Sequence, residues 1–82
     1  MNADKRVSLF DMAVGAEGII VCIGGGRGMV QRLDAMGVRI GSKIQKVTGQ
    51  LMRGPVMLRV GNTRVAVGFG MANRIWVEID KK

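Results

Sequence analysis

Val56-Met57-Leu58-Arg59-Val60-Gly61-Asn62-Thr63-Arg64-Val65-Ala66-Val67 is the stretch that decides the fold of this chain. Val56, Leu58 and Val60 alternate with Met57 and Arg59, the period-2 pattern of a strand with one buried face. Gly61-Asn62 breaks the alternation, and Thr63 to Val67 resumes strand composition. Two residues of this kind between two such runs signal a tight β-hairpin. Slipping its register by one residue would turn the apolar set outward, so the pairing is fixed.

The same punctuation continues on both sides. Downstream, Ile75, Val77 and Ile79 alternate, with Trp76 and Glu78 on the opposite face. Between the hairpin and that run, Gly68 to Asn73 is irregular or a single helical turn. Upstream, Arg53-Gly54-Pro55 carries its Pro at a strand entrance, where the missing N–H does least harm. Lys43 to Thr48 reads as a strand with Ile44 facing inward and Val47 a candidate for the same face. Gly18 to Ile23 is another, rich in β-branched residues. After the Gly24-Gly25-Gly26 loop, Met29, Leu33 and Met36 recur at helical spacing and Val30 widens the stripe, predicting a helix over 27–36. Gly37 stands where a left-handed residue closes a helix, and Gly41 follows before the next strand.

Five short strands and one inserted helix in a single domain spanning 1–82 make the chain mainly β. An open sheet would leave unpaired edges, so closure into a small barrel is the expected arrangement. Gly18 and Gly68 fit as barrel corners.

Thirteen Lys plus Arg against six Asp plus Glu give a net charge of +7 on 82 residues. That excess attracts polyanions, acidic membrane surfaces and acidic proteins alike. The cations are dispersed rather than gathered in one run, so the ordinary role of any one is solubility. Cys22 has no partner for an internal disulfide and sits in Ile19-Ile20-Val21-Cys22-Ile23, where a small buried hydrophobe is expected. The first residues lack the apolar stretch of a signal peptide. No apolar run approaches the roughly 20 residues that cross a bilayer. A cytoplasmic location is the expectation.

Several apparent motifs fail on spacing. From Gly24 and Gly26 the dinucleotide pattern needs glycine where Met29 and Gln31 stand, and there is no βαβ unit around them. Gly37 to Lys43 has the wrong interval for a phosphate loop, whose ring of backbone N–H groups tolerates no such change. With no His and one Cys, zinc lacks its usual ligands. The six carboxylates show no calcium-loop spacing. No Ser or Thr has a histidine base. These absences argue against an enzyme and call for no cofactor.

Seven Met residues are many for this length. Met12, Met29 and Met36 are assigned to the core; Met52, Met57 and Met71 either fill it irregularly or form an adaptable binding face. Trp76 either caps the end of the barrel or anchors a partner.

These residues resemble the FeoA family of bacterial ferrous iron transport. The likeness runs from Ser8 to Ile79 and rests on Leu9-Phe10-Asp11-Met12-Ala13-Val14-Gly15, Glu17-Gly18-Ile19, Arg32-Leu33 with Met36-Gly37 and Gly41, Gly54-Pro55, Gly61, and Val65-Ala66-Val67. It implies an SH3-like barrel, which also occurs as a module of iron-dependent repressors. It further implies a non-catalytic role beside a large ferrous iron permease with a cytosolic GTP-binding domain, and contact with the membrane only through that partner. Transition-metal binding, and with it any association with iron, is implied only at the level of the family resemblance and by no residue of this chain. The family's usual Ala-Leu-Arg and following Glu-Ala read here as Ala66-Val67-Gly68 and Met71-Ala72, so that arginine and glutamate are missing.

The expected partner surface comprises Met52, Arg53 and Met57, with Phe69, Met71 or Trp76 beside them. A second reading belongs to another class: a small basic barrel that binds nucleic acid without sequence choice. It would work through phosphates, because one Trp, two Phe and no Tyr make a thin stacking platform.

Overall fold

The computed structural model describes residues 6–48 and 54–79. In chain order these form β1 (Arg6–Ser8), β2 (Glu17–Ile23), α1 (Arg27–Ala35), β3 (Lys43–Thr48), β4 (Val56–Val60), β5 (Thr63–Val67), α2 (Phe69–Ala72) and β6 (Ile75–Ile79). The hairpin closes as its sequence requires, with Val60 opposite Thr63 and Val56 opposite Val67. All strand pairs are antiparallel, in the order β1-β6-β2-β3-β4-β5.

This arrangement corrects the expected five-stranded closed barrel in two respects. Among the described residues there are six strands and two helices, and the sheet they form is open, with β1 and β5 at its edges. Among the described residues β1 spans three, Arg6–Ser8, and pairs with β6 alone. The Asp11 N–H then bonds back to both the Ser8 carbonyl (3.0 Å) and its Oγ (3.1 Å), turning the chain directly after β1. The segment after β1 is tied to α2 by the Phe10 N–H on the Ala72 carbonyl at 3.4 Å. Ala72 is fully buried there. The three-residue β1 is too short to show a period and escapes the sequence reading, whereas α2 is the single helical turn that is one of the two readings of 68–73.

The core lies on the inward face of the sheet. Ile20, Ile44, Val56, Leu58, Val67, Ile75 and Val77 are all but inaccessible, joined by Leu9, Met12, Leu33 and Val38 from the connections. From α1, Leu33 is buried and Met29 packs at the margin; Met36 ends the helix and is 37% exposed, short of the core place expected for it. Burying one such leucine contributes about 1.5–3 kcal/mol. The helix closes on Gly37, at φ +87°, with the Gly37 N–H on the Asp34 carbonyl and the Val38 N–H on the Leu33 carbonyl, both 2.9 Å. This is the Schellman closure that glycine permits, and Val38 and Leu33 are both core residues, as that motif favours.

Two register shifts re-aim side chains. Between Ile20 and Cys22 the pairing with β6 slips, so Cys22 comes opposite Trp76 on the outer face and is exposed, not buried as its apolar neighbours suggested. Between Lys46 and Thr48 the pairing with β4 slips in the same way. Lys46, before that shift, takes the inward slot that alternation from Ile44 gives it and is only 3% exposed, while Val47 is half-buried rather than inward. Neither expected corner glycine turns a barrel corner, since the sheet that the described residues form is open. Gly18 lies inside β2, where a Cβ would come 2.5 Å from the Glu78 carbonyl oxygen, and Gly68 precedes α2 in extended backbone with open space around it.

Candidate functional site

The outer face of the sheet carries most of the exposed chemistry, and pairing arranges it in rows. One row runs Glu17, Gln45, Arg59, Arg64 across β2, β3, β4 and β5. Beside it, Arg6, Glu78, Ile19 and Lys43 cross β1, β6, β2 and β3. Lys43 Nζ stands 3.8 Å from Glu17 Oε1, and Gln45 Nε2 donates to the Gly15 carbonyl at 3.2 Å. Between the rows lies a shallow depression of about 290 Å³ lined by Glu17, Lys43, Gln45, Arg59 and Gly61. Arg59 and Arg64 are directly opposite one another. Neither has a carboxylate at ion-pair distance among the described residues.

The expected partner-binding residues are dispersed over this structure. Met52 and Arg53 lie outside the described residues. Met57 is half-buried on the outer face, opposite Ala66 and Thr48. Trp76, 41% exposed, is on the same face of β6, between Ser8 and Cys22. Two strands separate β6 from β4 and the register sets the two residues at different heights, so Trp76 and Met57 stand well over ~14 Å apart. Phe69 and Met71 belong to α2. Met71 packs against the core, and Phe69 meets Phe10 edge-to-face with ring centroids 5.1 Å apart.

The glycine-marked segment is architectural. Arg32 is exposed and Leu33 is buried. Gly41, at φ +98°, donates to the Ile20 carbonyl at 2.8 Å, docking the loop after α1 onto β2. Gly54 and Pro55 lead into β4, and Gly61, at φ +63°, turns the hairpin.

Lys46 is the residue that sequence reasoning missed. Its Nζ donates to the carbonyls of Met12 (2.7 Å) and Phe10 (2.9 Å), clamping the loop between β1 and β2. Burial pushes its ammonium below the ordinary lysine range, partly opposed by Asp11. The signal was available: a lysine two residues after an inward isoleucine occupies an inward slot. Its donors are engaged by backbone, so it braces the loop rather than facing a substrate. Among the described residues no three His, Cys, Asp or Glu side chains gather where they could hold a metal ion. No helix among them is long and apolar enough to cross a membrane.

Fold and surface together define a small antiparallel β domain that presents charge and exposed side chains on one face of an open sheet. Residues 7–79 match the FeoA domain, and the chain belongs to the FeoA family. It is 41% identical over 64 residues to a protein of Methanocaldococcus jannaschii named "Putative Fe(2+) transport protein A", covering 78% of this chain and 76% of that one. A crystal structure described as an iron uptake regulatory protein (FeoA) superposes with a TM-score of 0.84 at 37% identity, covering 92% of this chain and 99% of the other. A manganese-dependent transcriptional repressor gives a TM-score of 0.84 at 18% identity over 92% of this chain and 42% of its own, which shows a shared fold alone.

Proposed function

We propose that this chain is a non-catalytic accessory protein of ferrous iron transport that docks on the cytosolic GTP-binding part of an iron permease and modulates it. The observation that carries this reading is family membership over residues 7–79, together with the 41% identity to a putative Fe(2+) transport protein. The surface is consistent with docking: Met57, Trp76 and the Arg59–Arg64 pair share the outer face of one sheet. Basic side chains there would speed encounter with an acidic partner.

Residue-resolved titration of the labelled chain with the permease's cytosolic portion tests the proposal. The expected result is saturable change confined to the outer face of the sheet. Signals unchanged throughout, at concentrations well above those of a transient complex, would overturn it.

The nucleic-acid reading is the weaker of the two. Its cations are divided between surfaces, with Arg27 and Arg32 on α1 and Arg59 and Arg64 on the β4–β5 hairpin. A phosphate-tracking groove needs them along one path.

A further inference from the structure

An open sheet leaves two edges, and they are not equivalent. β1 has three residues, whereas β5 has five, with no Pro, Gly or register shift of the kind that ordinarily blunts an edge. The register fixes which backbone groups β5 leaves free. A two-residue loop makes Val60 and Thr63 the first pair to exchange both backbone bonds, followed by Leu58 with Val65 and Val56 with Val67. The N–H and C=O of Arg64 and Ala66 therefore point away from β4, along the free edge. β5 pairs with β4 alone among the described residues.

Charge says what would fit there. Arg59 and Arg64 are directly opposite, an unfavourable like-charge pair. The carboxylate in their row, Glu17, stands two strands away from Arg59 and already has Lys43 at 3.8 Å. On the side of the free edge, the row ends at Arg64.

We propose that the β5 edge receives an extended acidic segment of a partner protein, which adds as a further antiparallel or parallel strand and sets a carboxylate beside Arg64. Main-chain bonds to Arg64 and Ala66 supply the affinity and the carboxylate supplies the choice of partner. A second copy of this chain is disfavoured, because it would bring two further arginines to the same face and join two molecules of net charge +7. The proposal rests on the docking function above but is independent of which protein is docked.

The test uses the full chain, labelled with nitrogen-15, and two capped hexapeptides, Val-Glu-Val-Glu-Val-Glu and Val-Lys-Val-Lys-Val-Lys. At saturation with the acidic peptide, solvent exchange at the Arg64 and Ala66 amides is expected to slow by about tenfold or more, while Thr63, Val65 and Val67 are unaffected. The basic peptide is expected to bind at least about tenfold more weakly, and Arg64→Glu to reverse that preference. Ala66→Pro removes only an outward N–H, so it should abolish binding while the spectrum keeps its native dispersion. Free exchange at Arg64 and Ala66 under acidic peptide overturns the proposal, as does equal binding of the two peptides. An oligonucleotide that shifts Arg59 and Arg64 where neither peptide binds also overturns it, in favour of a phosphate-binding surface. A permease domain that docks while these two amides still exchange freely overturns strand addition and leaves the accessory function standing.

Discussion

Lys46 Nζ donates to the Met12 carbonyl at 2.7 Å, joining the third strand to a loop 34 residues earlier in the chain. The Phe10 carbonyl takes a second bond from the same nitrogen, and two backbone bonds complete the clamp: Gly15 N–H to the Lys46 carbonyl and Lys46 N–H to the Ala16 carbonyl. The loop's Leu9, Phe10, Met12 and Ala16 N–H groups have backbone partners of their own, while the Phe10 and Met12 carbonyls take their bonds from this one side chain.

Lys46→Met keeps an apolar stem of similar length and leaves both carbonyls without their donor. A buried acceptor so orphaned costs about 1–3 kcal/mol, and the variant should lose that much in denaturant unfolding. An unchanged midpoint would mean that the amine merely fills space.

The same residue fixes a pH dependence. Its folded pKa lies below the ordinary 10.5 because burial disfavours the ammonium. Between the folded value and 10.5 the unfolded chain binds more protons, so this contribution to stability grows as pH rises through that window. It is lost as pH falls through the folded value. Subtracting the Lys46→Met stability curve from that of the unsubstituted protein should leave a difference that climbs toward pH 10.5. A flat or descending difference contradicts the assignment.

Gly18 and Gly28 should respond in opposite directions to the same substitution. A Cβ at Gly18 would meet backbone, the Glu78 carbonyl oxygen at 2.5 Å, so Gly18→Ala forces β2 and β6 apart at a cost of about 1–3 kcal/mol or more. Around Gly28, in the first turn of α1, nothing lies within 4 Å. Gly28→Ala should stabilise by about 0.5–1 kcal/mol through helix propensity. Thermal unfolding of the two variants checks both signs at once.

At the other end of α1 the backbone, rather than the ion pair, sets the stability. Gly37→Ala places a Cβ at φ +87° and should cost about 1–2 kcal/mol. Arg39 Nε and Asp34 Oδ1 are 2.6 Å apart, but their side chains are 60% and 54% exposed. Asp34→Asn should therefore change stability by less than about 1 kcal/mol, and added salt should shrink even that. A larger loss from Asp34→Asn than from Gly37→Ala would reverse this ranking.

Much of the architecture was legible wherever a period had room to repeat. The hairpin, the Ile75–Ile79 strand and the helix ended by Gly37 all follow from spacing that the structure reproduces. Closure was not legible. It depends on whether β1 meets β5, a pairing between distant segments that no local period encodes, and among the described residues each of the two has a single partner strand. A register shift defeated the Cys22 assignment by moving it off the inward face that alternation from Ile20 gives it. Val47 needed no shift, since alternation from Ile44 already gives the inward slot to Lys46. The candidate surface was least readable. Trp76 was recognisable as outward-facing from its neighbours, but that Arg59 and Arg64 stand side by side required the pairing register.

The placement of Cys22 yields a direct chemical test. The shift after Ile20 sets it exposed and opposite Trp76, where cross-strand Cβ atoms lie about 4.5–5.5 Å apart. A thiol in that position should react with an aromatic disulfide reagent in the folded protein, without denaturant. Trp76 is the chain's single tryptophan, so its emission reports on that one site. The nitrobenzoate adduct on Cys22 should quench it on the same time course as the labelling. Cys22→Ser should leave stability within about 0.5 kcal/mol, as for other exposed substitutions, and remove the quenching altogether. A thiol that reacts only after unfolding would return Cys22 to the core, and with it the uninterrupted alternation of β2.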